Sequence, residues 1–570
     1  MRVIGWLGQI RQSDTFGFGP GRWPGIRPGI RPEIKPGIGN SWICGDGQSK
    51  TRQVSLVPRL KLGFSMPMFG RLSRRFVVFG LGVVAVAGAA RADAPRVSLR
   101  PQMRRPRGGV QSDKVVVRGG AEALIAGFGL RGDVACVVAD VKTGLRLEAV
   151  KGTVGLPPAS VSKALTTLYA LEALGSGYRF ETRLIATGAV KNGILRGDLI
   201  LAGGGDPTLT TDNLAEMAAR LKAAGIREVR GGFKVFAGML PYVRSIASEQ
   251  PEHLGYSPAV SGLALNFNRV YFEWKRGTSG WAVSIDARTK KYRPEVEVAT
   301  MRVVKRQLPV YTYADRQGRD QWSVANGALG KGGSRWLPVR KPGLYVGDVF
   351  RTMARSHGIV LAKPKLVRNL ARGGQVLVSQ KSTPLKAILK NMLKFSNNLT
   401  AEMVGLTASV ARGERPGSLR ASANAMSRWA ATKYQMTGTK LVDHSGLGDG
   451  SRMTAQDLVG ALVQVRKSGI LRPLLKPVAL RDERGKVLKA HPIKVDAKTG
   501  TLNFVSALAG FMTAADGTEL AFAIFTADSK TRARIKRSDR ERPQGARSWN
   551  KKSKQLQQKL IERWGALYGS

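Results

Sequence analysis

The stretch Leu156-Pro157-Pro158-Ala159-Ser160-Val161-Ser162-Lys163, running on through Ala164-Leu165-Thr166-Thr167-Leu168-Tyr169-Ala170-Leu171, constrains this chain more than any other. Val161, Leu165 and Leu168 recur at helical spacing and Gly175 closes the pattern, which predicts an amphipathic helix. The two prolines suit its entry, where a backbone N–H lacks an intrahelical acceptor anyway. Ser160 and Lys163 then stand one turn apart on the face opposite the leucines. A serine hydroxyl is a poor nucleophile without an adjacent base. A lysine can be that base if a dry pocket and a second cation depress its pKa. The helix N-terminus adds favourable dipoles for an anion forming at Ser160. Taken alone, this Ser-x-x-Lys pattern is better explained as a capped surface helix. Two downstream segments reverse that judgement.

At 570 residues the chain implies several domains with ample core. It carries 92 Lys+Arg against 39 Asp+Glu, a formal charge of +53. That balance suits a polyanionic partner: nucleic acid, an anionic membrane or an acidic cell-wall polymer. No nucleic-acid module is legible, so nucleic acid is not an expected partner. Gly203-Gly204-Gly205 lacks the spacing of a dinucleotide loop, and Gly330-Lys331 lacks the upstream glycine of a phosphate loop. His253, His357, His444 and His491 are isolated, with no His-x-x-x-His or Cys-x-x-Cys pair. Neither a metal nor a cofactor is expected.

Residues 1–65 show no apolar periodicity, and Pro24 to Pro32 is close to repetitive, so this segment is expected to be disordered upstream mistranslation. Residues 66–92 are expected to be a signal peptide. Basic residues at Arg71, Arg74 and Arg75 precede an apolar run from Phe76 to Ala89, and Ala90-Arg91-Ala92 fits a cleavage site. The apolar run is too short to span a bilayer. Ser73-Arg74-Arg75 resembles a twin-arginine signal, but Phe76 follows without the usual spacer, so Sec and twin-arginine export both stay open. The mature chain is expected to begin at Asp93 and to be periplasmic. It then holds one cysteine, Cys136, in an apolar strand-like run, as a small core residue.

After a Pro- and Arg-rich lead-in to about 115, segments 134–140 and 145–150 predict a hairpin before the Ser160 helix. A second hairpin is expected over 182–190 and 194–201 about Asn192-Gly193. Helices are expected at 212–224, 344–357, 419–434 and 455–468. A long apolar-periodic helix over 385–407 is interrupted at Phe395-Ser396-Asn397-Asn398. Strands are expected at 281–285, 296–304, 495–501, 507–513 and 520–527, the last pair turning at Asp516-Gly517. The basic C-terminal segment carries Leu556, Leu560 and Trp564 on one narrow stripe. A helix docked on the sheet is expected there, leaving at most a weak membrane-surface contact.

Ser396-Asn397-Asn398 in a helical region and Lys498-Thr499-Gly500 on a strand join Ser160 and Lys163. Each is weak singly. In this order, the set resembles the Ser-x-x-Lys, Ser-x-Asn and Lys-Thr-Gly motifs of penicillin-binding proteins and serine β-lactamases. The mature chain resembles most the class C penicillin-binding proteins, the D-alanyl-D-alanine carboxypeptidase/endopeptidase family. Leu201-Ala202-Gly203-Gly204-Gly205-Asp206-Pro207-Thr208-Leu209, Asp443-His444-Ser445-Gly446-Leu447 and Ala497-Lys498-Thr499-Gly500-Thr501-Leu502 are similar to loops and motifs of that family. The 236 residues from Ser160 to Ser396 far exceed one crossover and match its inserted domains. Asn397 stands where Asp is commoner, at a side chain that braces the loop.

The resemblance implies an α+β fold: a penicillin-binding/β-lactamase-like domain, its antiparallel sheet flanked by helices, with two smaller β-rich domains inserted. The catalytic domain is expected over 93–180 and 370–570 and the insert over 181–369, its second part near 275–340. The expected activity is serine D-Ala-D-Ala cleavage of peptidoglycan stem peptides through an acyl-enzyme, with β-lactams as acylating ligands. Ser160 is expected as nucleophile, Lys163 as base kept neutral by nearby Lys498, and Ser396 as proton relay. Asn398 suits the substrate's penultimate amide and Lys163, and Lys498 and Thr499 its terminal carboxylate. Gly500 lets the strand approach closely. By resemblance, the N–H groups of Ser160 and Thr501 form the oxyanion hole. Asp443-His444-Ser445 cannot be a catalytic triad, because consecutive loop residues cannot reach the relay geometry. No Glu-x-x-Leu-Asn segment supplies a deacylating base, since Gly262 precedes Leu265-Asn266 where Glu is needed. A weak β-lactamase-like enzyme and a non-enzymatic wall-binding or β-lactam-sensing protein are the alternatives.

Overall fold

Alternation along one strand places the sheet on which the molecule is built. In β1 (Asp133–Asp140), Ala135, Val137 and Ala139 enter one core while Val134, Cys136 and Val138 enter another. A strand buried on both faces must be central, and the two-residue period separates its cores. The structure, a computed structural model, describes residues 120–371 and 373–569. The expectations for the start site, signal peptide and lead-in lie outside these residues.

The sheet comprises β1, β2 (Arg146–Val150), β3 (Lys476–Pro477), β4 (Lys494–Leu502), β5 (Val505–Thr513) and β6 (Glu519–Ala527), in the order β3-β4-β5-β6-β1-β2. Every neighbouring pair is antiparallel. One face carries α1 (Ser162–Leu174), α2 (Leu385–Phe395), α3 (Asn398–Ala411), α4 (Leu419–Tyr434) and α5 (Ala455–Arg466) over a shared core. The other face takes the helix Ala121–Phe128 and α6 (Ala546–Tyr568), whose Leu556, Leu560 and Trp564 are fully buried. The terminal stripe is thus a docking face. Cys136 sits in that second core, where burial pushes its thiol up to about 12 and leaves it unreactive.

The expectation of an amphipathic helix after Ser160 needs correction. Every residue of α1 from Ser162 to Leu171 is buried. Its leucines join the core shared with the sheet, and α3 and α4 pack against it. Its two threonine hydroxyls are satisfied internally: Thr166 Oγ1 donates to His444 O at 2.7 Å and Thr167 Oγ1 to Lys163 O at 2.7 Å. Polar residues in a buried face cost little once each has a partner.

The insert has its own core. A five-stranded sheet runs Lys365–Val367, Phe233–Phe236, Leu199–Gly203, Glu181–Ala186, Gln375–Lys381, the first three strands mutually parallel and the remaining pairs antiparallel. Thr211–Ala223 and Pro342–Ser356 are its helices. Gln375–Lys381 closes this sheet, so it reaches past the boundary expected at 369: the chain pairs with Glu181–Ala186 before leaving. Two three-stranded sheets between Arg269 and Pro338 make the second part.

Candidate active site

The turn that carries Ser160 is tight and held from both sides. Ala159–Val161 forms a 3-10 turn leading into α1, and Ala159 has φ 45°, a left-handed value that a non-glycine residue tolerates only where its surroundings enforce it. On one side is β4: a Cβ on Gly500 would lie 2.9 Å from Pro158 O and 3.0 Å from Ser160 N. On the other is Gly446, φ 74°, where a Cβ would lie 1.8 Å from Ala159 O and 2.7 Å from Ser162 Oγ. Gly446→Ala therefore combines positive-φ strain with a backbone clash, whereas Gly517→Ala, φ 90° with open space around it, carries strain alone. Both variants are expected to lose about 1–2 kcal/mol to strain. Only Gly446→Ala should also slow penicillin labelling, which thermal unfolding and a fluorescent penicillin would check side by side.

Lys163 lies in the first turn of α1, fully buried. Its Nζ is 3.0 Å from Ser160 Oγ, 2.8 Å from Asn398 Oδ1 and 2.8 Å from Ser445 O. Asn398 opens α3, and its Nδ2 donates to Tyr256 O of the insert at 3.0 Å, which sets its Oδ1 toward Lys163. Between α2 and α3, Ser396 takes a left-handed conformation at φ 58°. Asn397 caps α3, its Oδ1 accepting from Thr400 N at 2.9 Å. The expected bracing role needs only an acceptor oxygen, which Asn supplies as well as Asp.

Lys498, buried on β4, donates to Ser396 Oγ at 3.1 Å and to Thr499 O at 2.6 Å. Thr499 and Thr501 alternate outward on the same strand and are exposed beside the Ser160 turn. β3 pairs with β4 only at Asp496 and Ala497. From Lys498 onward that edge has no further strand beside it among the described residues, so an extended peptide can lie along it. Ser160, Lys163 and Asn398 are thus bonded in one set and Ser396 with Lys498 in another.

Burial pushes Lys163 down to about 8, while the carboxyls of Glu402 and Asp443 pull it back up. The expectation that Lys498 depresses Lys163 is corrected here: desolvation does so. Lys498 itself is held well below the usual lysine range, by burial first and then by the charges of Lys163 and Lys476. His444 is fully buried and pushed down to about 3, hence neutral, and its Nε2 lies 2.8 Å from Ser422 Oγ. Asp443 instead accepts from Gly446 N at 2.7 Å and Gly448 N at 2.6 Å. These three loop residues form no relay.

Sequence reading missed two contributors. Glu402 is the only charged residue between Lys394 and Arg412, a signal present in the apolar run but not singled out. Tyr256 reaches the site by its backbone and has no sequence signal. Its loop is held by Arg340, whose guanidinium donates to the carbonyls of Ser257 at 2.7 Å, Glu252 at 2.7 Å and Arg244 at 3.0 Å. The segment after β6 straps the same loop: Arg537 pairs with Glu252 at 3.1 Å and Glu541 with His253 at 2.7 Å.

A helix-covered antiparallel sheet, with Ser160 and Lys163 at the helix start and Lys498 on the facing strand, defines the penicillin-binding/β-lactamase-like class. The Haemophilus influenzae penicillin binding protein 4 (dacB) crystal structure matches the fold with TM-score 0.59 and 22% identity, covering 72% of this chain and 93% of that one. The chain is 28% identical over 397 residues to D-alanyl-D-alanine carboxypeptidase DacB of Haemophilus influenzae, covering 66% of this chain and 81% of the relative. It is also 28% identical over 441 residues to D-alanyl-D-alanine carboxypeptidase of Actinomadura sp., covering 71% and 79%. The D-Ala-D-Ala carboxypeptidase 3 (S13) family model matches residues 121–542. The chain belongs to that family and is a serine-type D-Ala-D-Ala carboxypeptidase.

Proposed function

We propose that Ser160 attacks the carbonyl of the penultimate D-Ala of a peptidoglycan stem peptide, with Lys163 as base, and that water then hydrolyses the acyl-enzyme. The observation that carries this reading is the 3.0 Å approach of a buried, depressed-pKa Lys163 to Ser160 Oγ. A neutral amine has two N–H bonds and one lone pair. With Asn398 Oδ1 and Ser445 O accepting the two N–H bonds, the lone pair faces the Ser160 hydroxyl. Ser396 passes the proton to the leaving amine. When that amine is free D-Ala the reaction is carboxypeptidase, and when it belongs to a cross-linked neighbour it is endopeptidase.

Lys498 and Thr499 bind the terminal carboxylate, and the amides of Ser160 and Thr501 take the oxyanion. The incoming carboxylate also stabilises charge on Lys498, which burial otherwise disfavours. Penicillin acylates the same serine; Haemophilus influenzae penicillin binding protein 4 has been crystallised with a β-lactam. The protein works outside the inner membrane, on an acidic wall polymer that suits its positive charge. Among the described residues no helix is long and apolar enough to cross a membrane.

The test is mass spectrometry of wall fragments ending in D-Ala-D-Ala, incubated with the protein across a pH series. Loss of one terminal D-Ala is expected, at a rate that rises with pH to half its plateau near 8, since the base must shed its proton. Unchanged fragments at every pH would overturn the reading.

A further inference from the structure

Beneath the two bonded sets lies a carboxyl that the mechanism above does not use. Glu402 stands on α3 four residues after Asn398, hence on the same helix face, and is fully buried. Its Oε2 accepts from His444 N at 3.0 Å and its Oε1 from Ser445 N at 2.9 Å. The rest of the loop is anchored as closely. Thr166 of α1 donates to His444 O at 2.7 Å, and Asp443 accepts from the amide of Gly446. The bond of Gly446 N to Asp443 holds the peptide whose carbonyl, Ser445 O, takes a hydrogen from Lys163 Nζ, and the other bonds hold the two peptides before it.

We propose that Glu402 is the positioning residue for the base: by clasping the amides of His444 and Ser445 it aims Ser445 O at Lys163, so that the lone pair of Lys163 faces Ser160. One helix then sets both acceptors of the amine, Asn398 directly and Ser445 O through Glu402. A lysine side chain has four rotatable bonds and no intrinsic preference for one lone-pair direction, so two fixed acceptors are the minimum that defines it. The demand on Glu402 is specific. Two adjacent amide N–H groups call for two acceptor oxygens at one end of one side chain, which a carboxylate offers and an amide does not. The charged and titratable groups facing it are Lys163 from α1 and Asp443 and the neutral His444 from the loop; burial and then Asp443 push its carboxyl up, while the two amides and Lys163 favour the carboxylate. The inference rests on Lys163 being the base.

The test is the rate of Ser160 acylation by a fluorescent penicillin, measured against pH for the full chain and three variants, each checked for folding by near-UV circular dichroism and thermal unfolding. Glu402→Gln fills the same volume but sets an NH2 group against one backbone N–H. Its plateau rate is expected to fall about 10- to 100-fold, the scale of a misplaced catalytic group. Its midpoint should also move to lower pH, because a carboxyl that raises the Lys163 pKa is gone. Glu402→Asp keeps the charge but is one methylene too short to clasp both amides, so its plateau should fall while its midpoint stays near that of the parent. Lys163→Ala separates this inference from the reading beneath it. If that variant is acylated at the parental rate, the base assignment fails and Glu402 has nothing to position. If it is inert while folded Glu402→Gln keeps the parental plateau and midpoint, only the positioning role is overturned. If neither Glu402 variant folds, Glu402 holds the fold rather than the base, and the proposal is equally overturned.

Discussion

Ser160→Ala is expected to abolish both the covalent penicilloyl adduct and the release of D-Ala, because among the described residues Ser160 carries the hydroxyl hydrogen-bonded to Lys163 Nζ. Lys163→Ala should come close to it. Removing either member of a nucleophile–base unit costs nearly as much as removing both, on the order of 10⁶-fold in kcat in the best-studied serine hydrolase. The structure adds a reason for that coupling. Lys163 is fully buried, and its Nζ is bonded to Asn398 and Ser445 as well as to Ser160. Truncating it leaves the buried Ser445 O and the half-buried Asn398 Oδ1 without their donor, besides leaving the hydroxyl unactivated. Thermal unfolding would register the first effect and penicillin labelling the second. A persistent adduct on Ser160→Ala protein, located elsewhere by peptide mapping, would remove Ser160 from the role of nucleophile.

How much of this was legible in the sequence follows from how local each signal is. The hairpin at 134–150, the helix Leu419–Tyr434, the break between Phe395 and Asn398 and the terminal stripe all emerge where periodicity and turn chemistry predict them. Each is decided within about twenty residues. The three motifs were legible too, although their meeting depends on a sheet whose strands come from both ends of the chain. The insert was read poorly for the opposite reason. Phe233–Phe236 is four residues long and pairs in parallel with Leu199–Gly203 and Lys365–Val367, so its position depends on contacts distant in sequence. The burial of α1 was misjudged because Thr166 and Thr167 look solvent-facing until their acceptors are known. Glu402 shows the limit most clearly: its place in an apolar run is visible, but the amides that require it belong to a loop some forty residues away.

Lys498→Ala is expected to discriminate between two substrates where the other variants do not. Lys498 is buried, donates to Ser396 Oγ and shares repulsion with Lys163. Its removal takes away a charge-assisted partner for the terminal carboxylate, worth about 2–3 kcal/mol, or very roughly 10²-fold in kcat/KM. A substrate whose C-terminal carboxylate is amidated never made that contact and should lose far less. For the free acid, both KM and kcat should suffer, because the carboxylate no longer has a cation to hold it and Ser396 loses its Lys498 donor. The pH profile gives an independent reading. With Lys498 absent, the acylation midpoint should stay near 8, because burial and not Lys498 holds Lys163 down. An equal loss for acid and amide would show that Lys498 serves the protein side of the site, through Ser396, and not the carboxylate. A midpoint that moves up toward the ordinary lysine range would show instead that Lys498 helps to keep Lys163 neutral.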